Sequence, residues 1–137
     1  MQGRKILLAD DDAEDQSIIQ DAMEFFNAGD VMVFANNGEH LLELLAKSFS
    51  QSLSPCLIVL DLNMPKMNGT QTLHTLKNNE NSKDIPVIIY STSINPIEKE
   101  KCLMLGAHSF ITKPISFKES RETAQLFLQY CELKTTI

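Results

Sequence analysis

The chain has 137 residues, 43% of them hydrophobic and 22% charged, which fits one globular domain burying roughly two-thirds of its unfolded surface in a packed core. A formal net charge of −6 speaks against nucleic-acid binding, which shows as a basic patch. The first apolar run, residues 6–9, ends at once in three aspartates; it is far too short for a signal-peptide core or a membrane span.

Three cysteines, Cys56, Cys102 and Cys131, stand far apart and are odd in number. That pattern resembles neither a zinc site nor a disulfide framework, and it suits a reducing, cytoplasmic setting. They are expected to be small buried or half-buried hydrophobes in a domain that folds without disulfides or a structural metal.

In chain order, residues 5–10 form a short apolar run ended by charge, as in a strand buried on both faces. Ile18, Ile19, Ala22, Met23 and Phe26 then recur at helical spacing until Ala28 and Gly29 stop the helix. Residues 31–35 read as a second strand, closed by the turn formers Asn36, Asn37 and Gly38. Leu41, Leu42, Leu45 and Phe49 mark an apolar helical face, and the Ser-rich stretch 48–55 reads as a loop. Residues 56–60 are the third apolar run, ending at Asp61, and Leu73, Leu76 and Lys77 place a helix over 70–79. The fourth run, 87–90, ends at Ser91; a helix over 97–105 is stopped by Gly106; the fifth strand, 108–112, ends at Lys113 and Pro114. A last helix spans 117–133, with Ser116 as N-cap and Glu119 as capping-box partner.

Five strands alternating with five helices predict a doubly wound α/β fold, a parallel sheet with helices on both faces and right-handed crossovers. No repeat, linker or low-complexity tract interrupts the alternation, so residues 1–137 are expected to form one domain.

Four of the five strands end in a charged or hydroxyl residue: Asp10 with Asp11, Asp61, Ser91 and Lys113. Ligands of doubly wound sheets bind outside the carboxyl ends of the strands, so these residues should converge on one crevice. Several carboxylates beside one lysine repel one another unless a cation joins them, and an all-oxygen ligand set favours Mg²⁺. Such an ion beside Asp61, with Lys113 as a second positive point and the Ser91 hydroxyl as donor, fits phosphoryl transfer to a carboxylate. Asp12, Glu14 and Asp15 are expected only to favour the first helix's N-terminus through its dipole.

The segments ILLADDD (6–12), LIVLDLNMPKMNG (57–69), PVIIYSTS (86–93) and GAHSFITKP (106–114) resemble the receiver domains of two-component response regulators, and the likeness covers nearly the whole chain. It implies a flavodoxin-like strand order of 2-1-3-4-5. It implies that Asp61 is the phosphoacceptor and that Asp10, Asp11, Asp61 and the backbone carbonyl of Asn63 hold Mg²⁺. Ser91 matches the switch hydroxyl, where Thr is commoner, and Phe110 the switch aromatic, where Tyr is commoner. Lys113 matches the family's lysine, with a cis bond expected to Pro114. Asn63 and Ser93 stand where the family tunes self-dephosphorylation.

The implied donor is a sensor histidine kinase or histidine phosphotransfer protein. The implied output is a downstream protein that reads a surface of the fourth helix, fifth strand and fifth helix, including Ile97, Cys102, Met104 and the last helix from Phe117. No output domain is expected after the last helix, so the chain reads as a free-standing cytoplasmic regulator, a monomer or phosphorylation-linked dimer. It would be no enzyme beyond its own phosphotransfer and self-dephosphorylation. Three rivals compete. A haloacid-dehalogenase-type phosphatase wants a second Asp where Asn63 stands. A flavin-binding module wants a glycine-rich phosphate loop where Asp10, Asp11 and Asp12 stand. A degenerate receiver would only bind a partner.

Overall fold

The computed structural model describes residues 4–92 and 95–133. Strands and helices alternate: β1 (Ile6–Ala9), α1 (Ala13–Phe25), β2 (Met32–Ala35), α2 (Gly38–Ser50), β3 (Leu57–Leu60), α3 (Gly69–Lys77), β4 (Val87–Ser91), α4 (Pro96–Met104), β5 (Ser109–Thr112) and α5 (Phe117–Leu133). All neighbouring strands pair in parallel, in the order β2-β1-β3-β4-β5. The expected doubly wound sheet is therefore present, with the element boundaries shifted by a residue or two.

The strands β1, β3 and β4 are buried along their whole length, so they read as continuous apolar runs rather than as alternations. Their side chains still alternate in space. Ile6, Leu8, Leu57, Val59, Ile88 and Tyr90 join Ile19 and Met23 of α1 and Ala124 and Phe127 of α5 in one core. Leu7, Ala9, Ile58, Leu60, Val87 and Ile89 join Leu41, Leu45, Leu73, Leu76 and Cys102 in the other. Each fully buried Leu or Ile contributes about 1.5–3 kcal/mol of transfer free energy.

The helix starts follow from their caps. Asp12 accepts from the amides of Glu14 and Asp15, Asn68 and Gln71 form a complete capping box, and Asn95 caps α4 just before Pro96. At α5, Ser116 Oγ accepts from Glu119 N at 3.1 Å, but Glu119 Oε1 accepts from Ile115 N rather than from Ser116. The box expected there thus closes one residue early. The stretch expected as a loop from Ser48 begins later, because α2 continues to Ser50 before the chain turns at Ser52, whose φ is 60°. Gly106, at φ 109°, ends α4 in a conformation that disfavours a side chain.

The cysteine expectation needs correcting. Cys56 lies just before β3, Cys131 lies in the last turns of α5, and the two form a disulfide with their Cα atoms 5.1 Å apart. Both belong to the core between the sheet and the α1/α5 layer. The contact joins elements 75 residues apart, so it is set by how α5 packs and not by any local spacing. Cys102 is free and buried; it faces the core and not the α4 surface on which it was expected. No helix among the described residues is long and apolar enough to cross a membrane.

Candidate functional site

Parallel register brings the polar strand ends together. Ala9 pairs with Leu60, so Asp10 and Asp61 emerge side by side, and Asp61 N donates to Ala9 O at 3.0 Å. Strand β1 lies between β2 and β3, the point where strand order reverses and a crevice opens. On the other side Ser91 pairs with Thr112. Lys113 N donates to Ser91 O at 2.8 Å, which starts the lysine side chain from a fixed backbone position.

Gly69 shapes the same corner. A Cβ there would sit 2.8 Å from Leu62 Cα and would also press on the Asp61 carbonyl oxygen. The start of α3 can therefore lie directly on the backbone that carries Asp61.

Asp10 is fully buried, Asp61 is 6% exposed, Lys113 is 7% exposed and Asp11 is open to solvent. One carboxylate oxygen from each of Asp10, Asp11 and Asp61 lies within 4.8 Å of the others. Lys113 Nζ stands 2.8 Å from Asp10 Oδ2, 2.8 Å from Asp15 Oδ2 and 3.2 Å from Asp61 Oδ2. Asp61 Oδ1 accepts from Asn63 N at 3.3 Å, and Asp10 Oδ1 accepts from Asp12 N at 2.9 Å.

The contact to Asp10 is an ion pair by distance without an aligned hydrogen bond. Asp10 Oδ2 is the buried side-chain polar atom that lacks a hydrogen-bond partner among the described residues. Burial pushes the Asp10 carboxyl up to about 6; the Lys113 ammonium and the Asp12 amide oppose the rise, and the charge of Asp61 adds to it. Burial alone would lower Lys113. Its close contacts with Asp10 and Asp15 and the charges of Asp10 and Asp61 outweigh that, so the ammonium is held protonated well above its ordinary range.

These residues suit a divalent cation. The donors are all carboxylate oxygens, the set a hard ion prefers. The Asp10, Asp15 and Asp61 carboxylates share one ammonium, Asp11 adds a fourth negative charge beside Asp10 and Asp61, and one buried oxygen still lacks a directed partner. Beside them opens a cleft of about 480 Å³, lined in part by Asp11, Asn63, Thr70 and Glu98 of α4.

The comparisons with known proteins agree with this geometry. The response regulator receiver domain model matches residues 6–125. The chain belongs to the response regulator receiver family. This receiver is 34% identical over 115 residues to the transcriptional regulatory protein CpxR of Escherichia coli K12, covering 84% of this chain and 45% of that protein; it thus spans about half of that relative's length. Among solved structures, the phosphorylated cyanobacterial phytochrome response regulator RcpA superposes with a TM-score of 0.84 at 27% identity, over 98% of both chains. The Mn²⁺-bound form of the response regulator Rcp1 gives a TM-score of 0.77 at 26% identity, over 98% of this chain and 97% of that one.

Of the residues singled out in the receiver's sequence, Asp10, Asp11, Asp61 and Lys113 come together as expected. Ser91 is buried at the end of β4. Asn63 is exposed and lines the cleft, with its amide on Asp61. Phe110 is half-buried against the core between the sheet and the α2–α4 layer. Ser93 lies outside the described residues.

Two expectations fail in the site. There is no cis peptide bond among the described residues, so the bond to Pro114 is trans, the form favoured by about 0.5–1 kcal/mol before any tertiary contact acts. The lysine reaches all three carboxylates with that geometry. The second concerns Asp15, taken only as a helix-dipole residue, whose carboxylate binds Lys113 directly. No sequence signal separates it from Glu14, since both are acids in the first turn of α1.

Proposed function

We propose that the chain is a phosphorylation switch in which Asp61 accepts a phosphoryl group from a phosphohistidine of a sensor histidine kinase or histidine phosphotransfer protein. The observation that carries this is the Asp61 carboxylate, almost buried, held at 3.2 Å by Lys113 and within 4.8 Å of the Asp10 and Asp11 oxygens. Asp10, Asp11, Asp61 and the Asn63 carbonyl would hold Mg²⁺; that RcpA is phosphorylated and Rcp1 binds Mn²⁺ supports the reading. When bound, the ion supplies charge neutralisation for the incoming phosphoryl oxygens.

The chain's own residues do the rest. Asp61 attacks phosphorus while the bond to the donor nitrogen breaks, and the leaving imidazole takes a proton. Lys113, protonated throughout and itself only 7% exposed, donates to the equatorial oxygens and offsets their charge. The new group adds about −1.5 to −2 charges. Ser91, buried beside it on β4, donates its hydroxyl to a phosphoryl oxygen, and Phe110 repacks behind it. The result biases an existing equilibrium on the surface of α4, β5 and α5. There Ile97, Met104 and Phe117 are 80%, 81% and 83% exposed, an apolar set suited to a downstream protein partner or to a second phosphorylated copy.

Residues 1–137 act as one receiver domain in the cytoplasm, where a reducing pool holds Cys56 and Cys131 as neighbouring thiols that close their disulfide on oxidation, with no catalysis beyond the domain's own phosphotransfer and self-dephosphorylation. Incubation with phosphoramidate and Mg²⁺, read by intact mass, tests the proposal. One added phosphoryl group that needs Mg²⁺ and is missing from Asp61→Asn is expected. No addition from several small donors would leave a receiver that only binds a partner.

A further inference from the structure

Asp15 is the third residue of α1. In a capping box the side chain at that position turns back to accept from the N-cap amide. Here that amide, Asp12 N, is already bonded to Asp10 Oδ1 at 2.9 Å. The Asp15 carboxylate turns instead to Lys113 Nζ, 2.8 Å away and 98 residues distant in sequence. This bond is shorter than the 3.2 Å contact between Lys113 and Asp61, and the Asp15 side chain is only 24% exposed.

An ammonium has three N–H donors, and three carboxylates surround this one. Two of them have other roles in the proposed reaction: Asp61 bonds phosphorus, and Asp10 would be one of the residues holding the cation. Asp15 is the acceptor whose role does not change. We infer that Asp15 is a positioning residue for Lys113, the fixed hydrogen-bond acceptor that keeps the ammonium aimed at the phosphoryl oxygens as Asp61 is phosphorylated. The inference rests on the reading of Asp61 as phosphoacceptor.

Two effects of opposite sign compete at Asp15. Its negative charge repels an incoming phosphoryl group, so charge alone makes removal speed the reaction. Its bond restrains a side chain with four rotatable torsions, so positioning makes removal slow it. Misplacing a catalytic group by about 1 Å costs up to roughly a hundredfold. The geometric term dominates because the bond is short and partly shielded from water. Asp15→Ala should slow phosphorylation by phosphoramidate about tenfold.

The test compares initial rates, by intact mass at saturating Mg²⁺, for wild type, Asp15→Ala, Asp15→Asn, Lys113→Ala and the double variant Asp15→Ala/Lys113→Ala. Asp15→Ala is expected to be slow, and Asp15→Asn, which keeps an acceptor oxygen, to recover most of the rate. In the Lys113→Ala background the Asp15 change is expected to do nothing further. A rate unchanged or raised in Asp15→Ala overturns the inference, as does an equal loss in both backgrounds, which would mark a role in folding α1. A loss made good by raising Mg²⁺ beyond the level that saturates wild type also overturns it, since Asp15 would then act on the cation.

A second arm needs no phosphate. The Lys113 ammonium resonance of the metal-free protein, protected from exchange in wild type, should disappear in Asp15→Ala. If wild type takes no phosphoryl group while that signal still depends on Asp15, the phosphoacceptor reading fails and the lysine–aspartate bond stands. A signal indifferent to Asp15 removes the bond itself.

Discussion

Reducing the Cys56–Cys131 disulfide should lower the melting temperature substantially. The bond closes a loop of 75 residues, and in the chain-entropy picture a loop of that length removes enough denatured-state freedom to stabilise by about 4.5 kcal/mol at 25 °C. A 137-residue domain has an unfolding entropy of roughly 290 cal/mol/K near its midpoint, so this corresponds to about 15 °C. The assay is thermal unfolding with and without a phosphine reductant, beside a double variant carrying Cys56→Ala and Cys131→Ala. That variant should melt with or slightly below reduced wild type and ignore the reductant. Cys102 is free in either state and cannot contribute. Coincident melts of oxidised and reduced wild type would refute the reasoning. The mass difference of two hydrogens under non-reducing conditions reads the link directly.

The metal-free protein should lose stability as pH rises from about 4 to about 6. Asp10 titrates from 3.8 in the unfolded chain to about 6 in the fold, so the native state binds its proton more tightly. Its contribution is full below the lower value and lost above the higher one, worth about 3 kcal/mol. Urea unfolding of wild type beside Asp10→Asn across this range isolates it, and Mg²⁺ should reverse the loss at neutral pH while having little effect near pH 4; a difference between the two proteins that stays constant through this window contradicts the raised Asp10 carboxyl. Gly69→Ala should cost about 1–3 kcal/mol, since overpacking against the Leu62 backbone must move α3 or the Asp61 strand end. A denaturation midpoint equal to wild type would show that the close approach is not real.

Much of this fold could be read from the residues because β1, β3 and β4 are buried on both faces. Such strands appear as apolar runs, and polar residues at their ends stand out against them. That contrast marked Asp10, Asp61 and Ser91 without any structure, and Lys113 stood out at the matching end of the half-buried β5. Asp15 was hidden because an acid in the first turn has a sufficient local explanation in the helix dipole. Its partner becomes visible only when β5 brings Lys113 across the sheet. The pairing of Cys56 with Cys131 was hidden for the same reason, being set by the docking of α5 on the sheet. Cys102 is the small buried hydrophobe that was expected, but its place on the α4 surface was misread because a cysteine reads equally well on either side of a helix whose apolar face is weakly defined by its sequence. The bond before Pro114 is trans, where the resemblance carried over a cis bond.

The most direct measurement is to locate the phosphoryl group. The protein would be phosphorylated with phosphoramidate and Mg²⁺ and then reduced with borohydride, which converts an aspartyl phosphate to homoserine. Peptide mapping would follow. The expected result is homoserine at position 61 alone, absent when Mg²⁺ is omitted. Homoserine at position 10 or 11, or an adduct that survives in Asp61→Asn, would contradict the assignment of Asp61 as the phosphoacceptor.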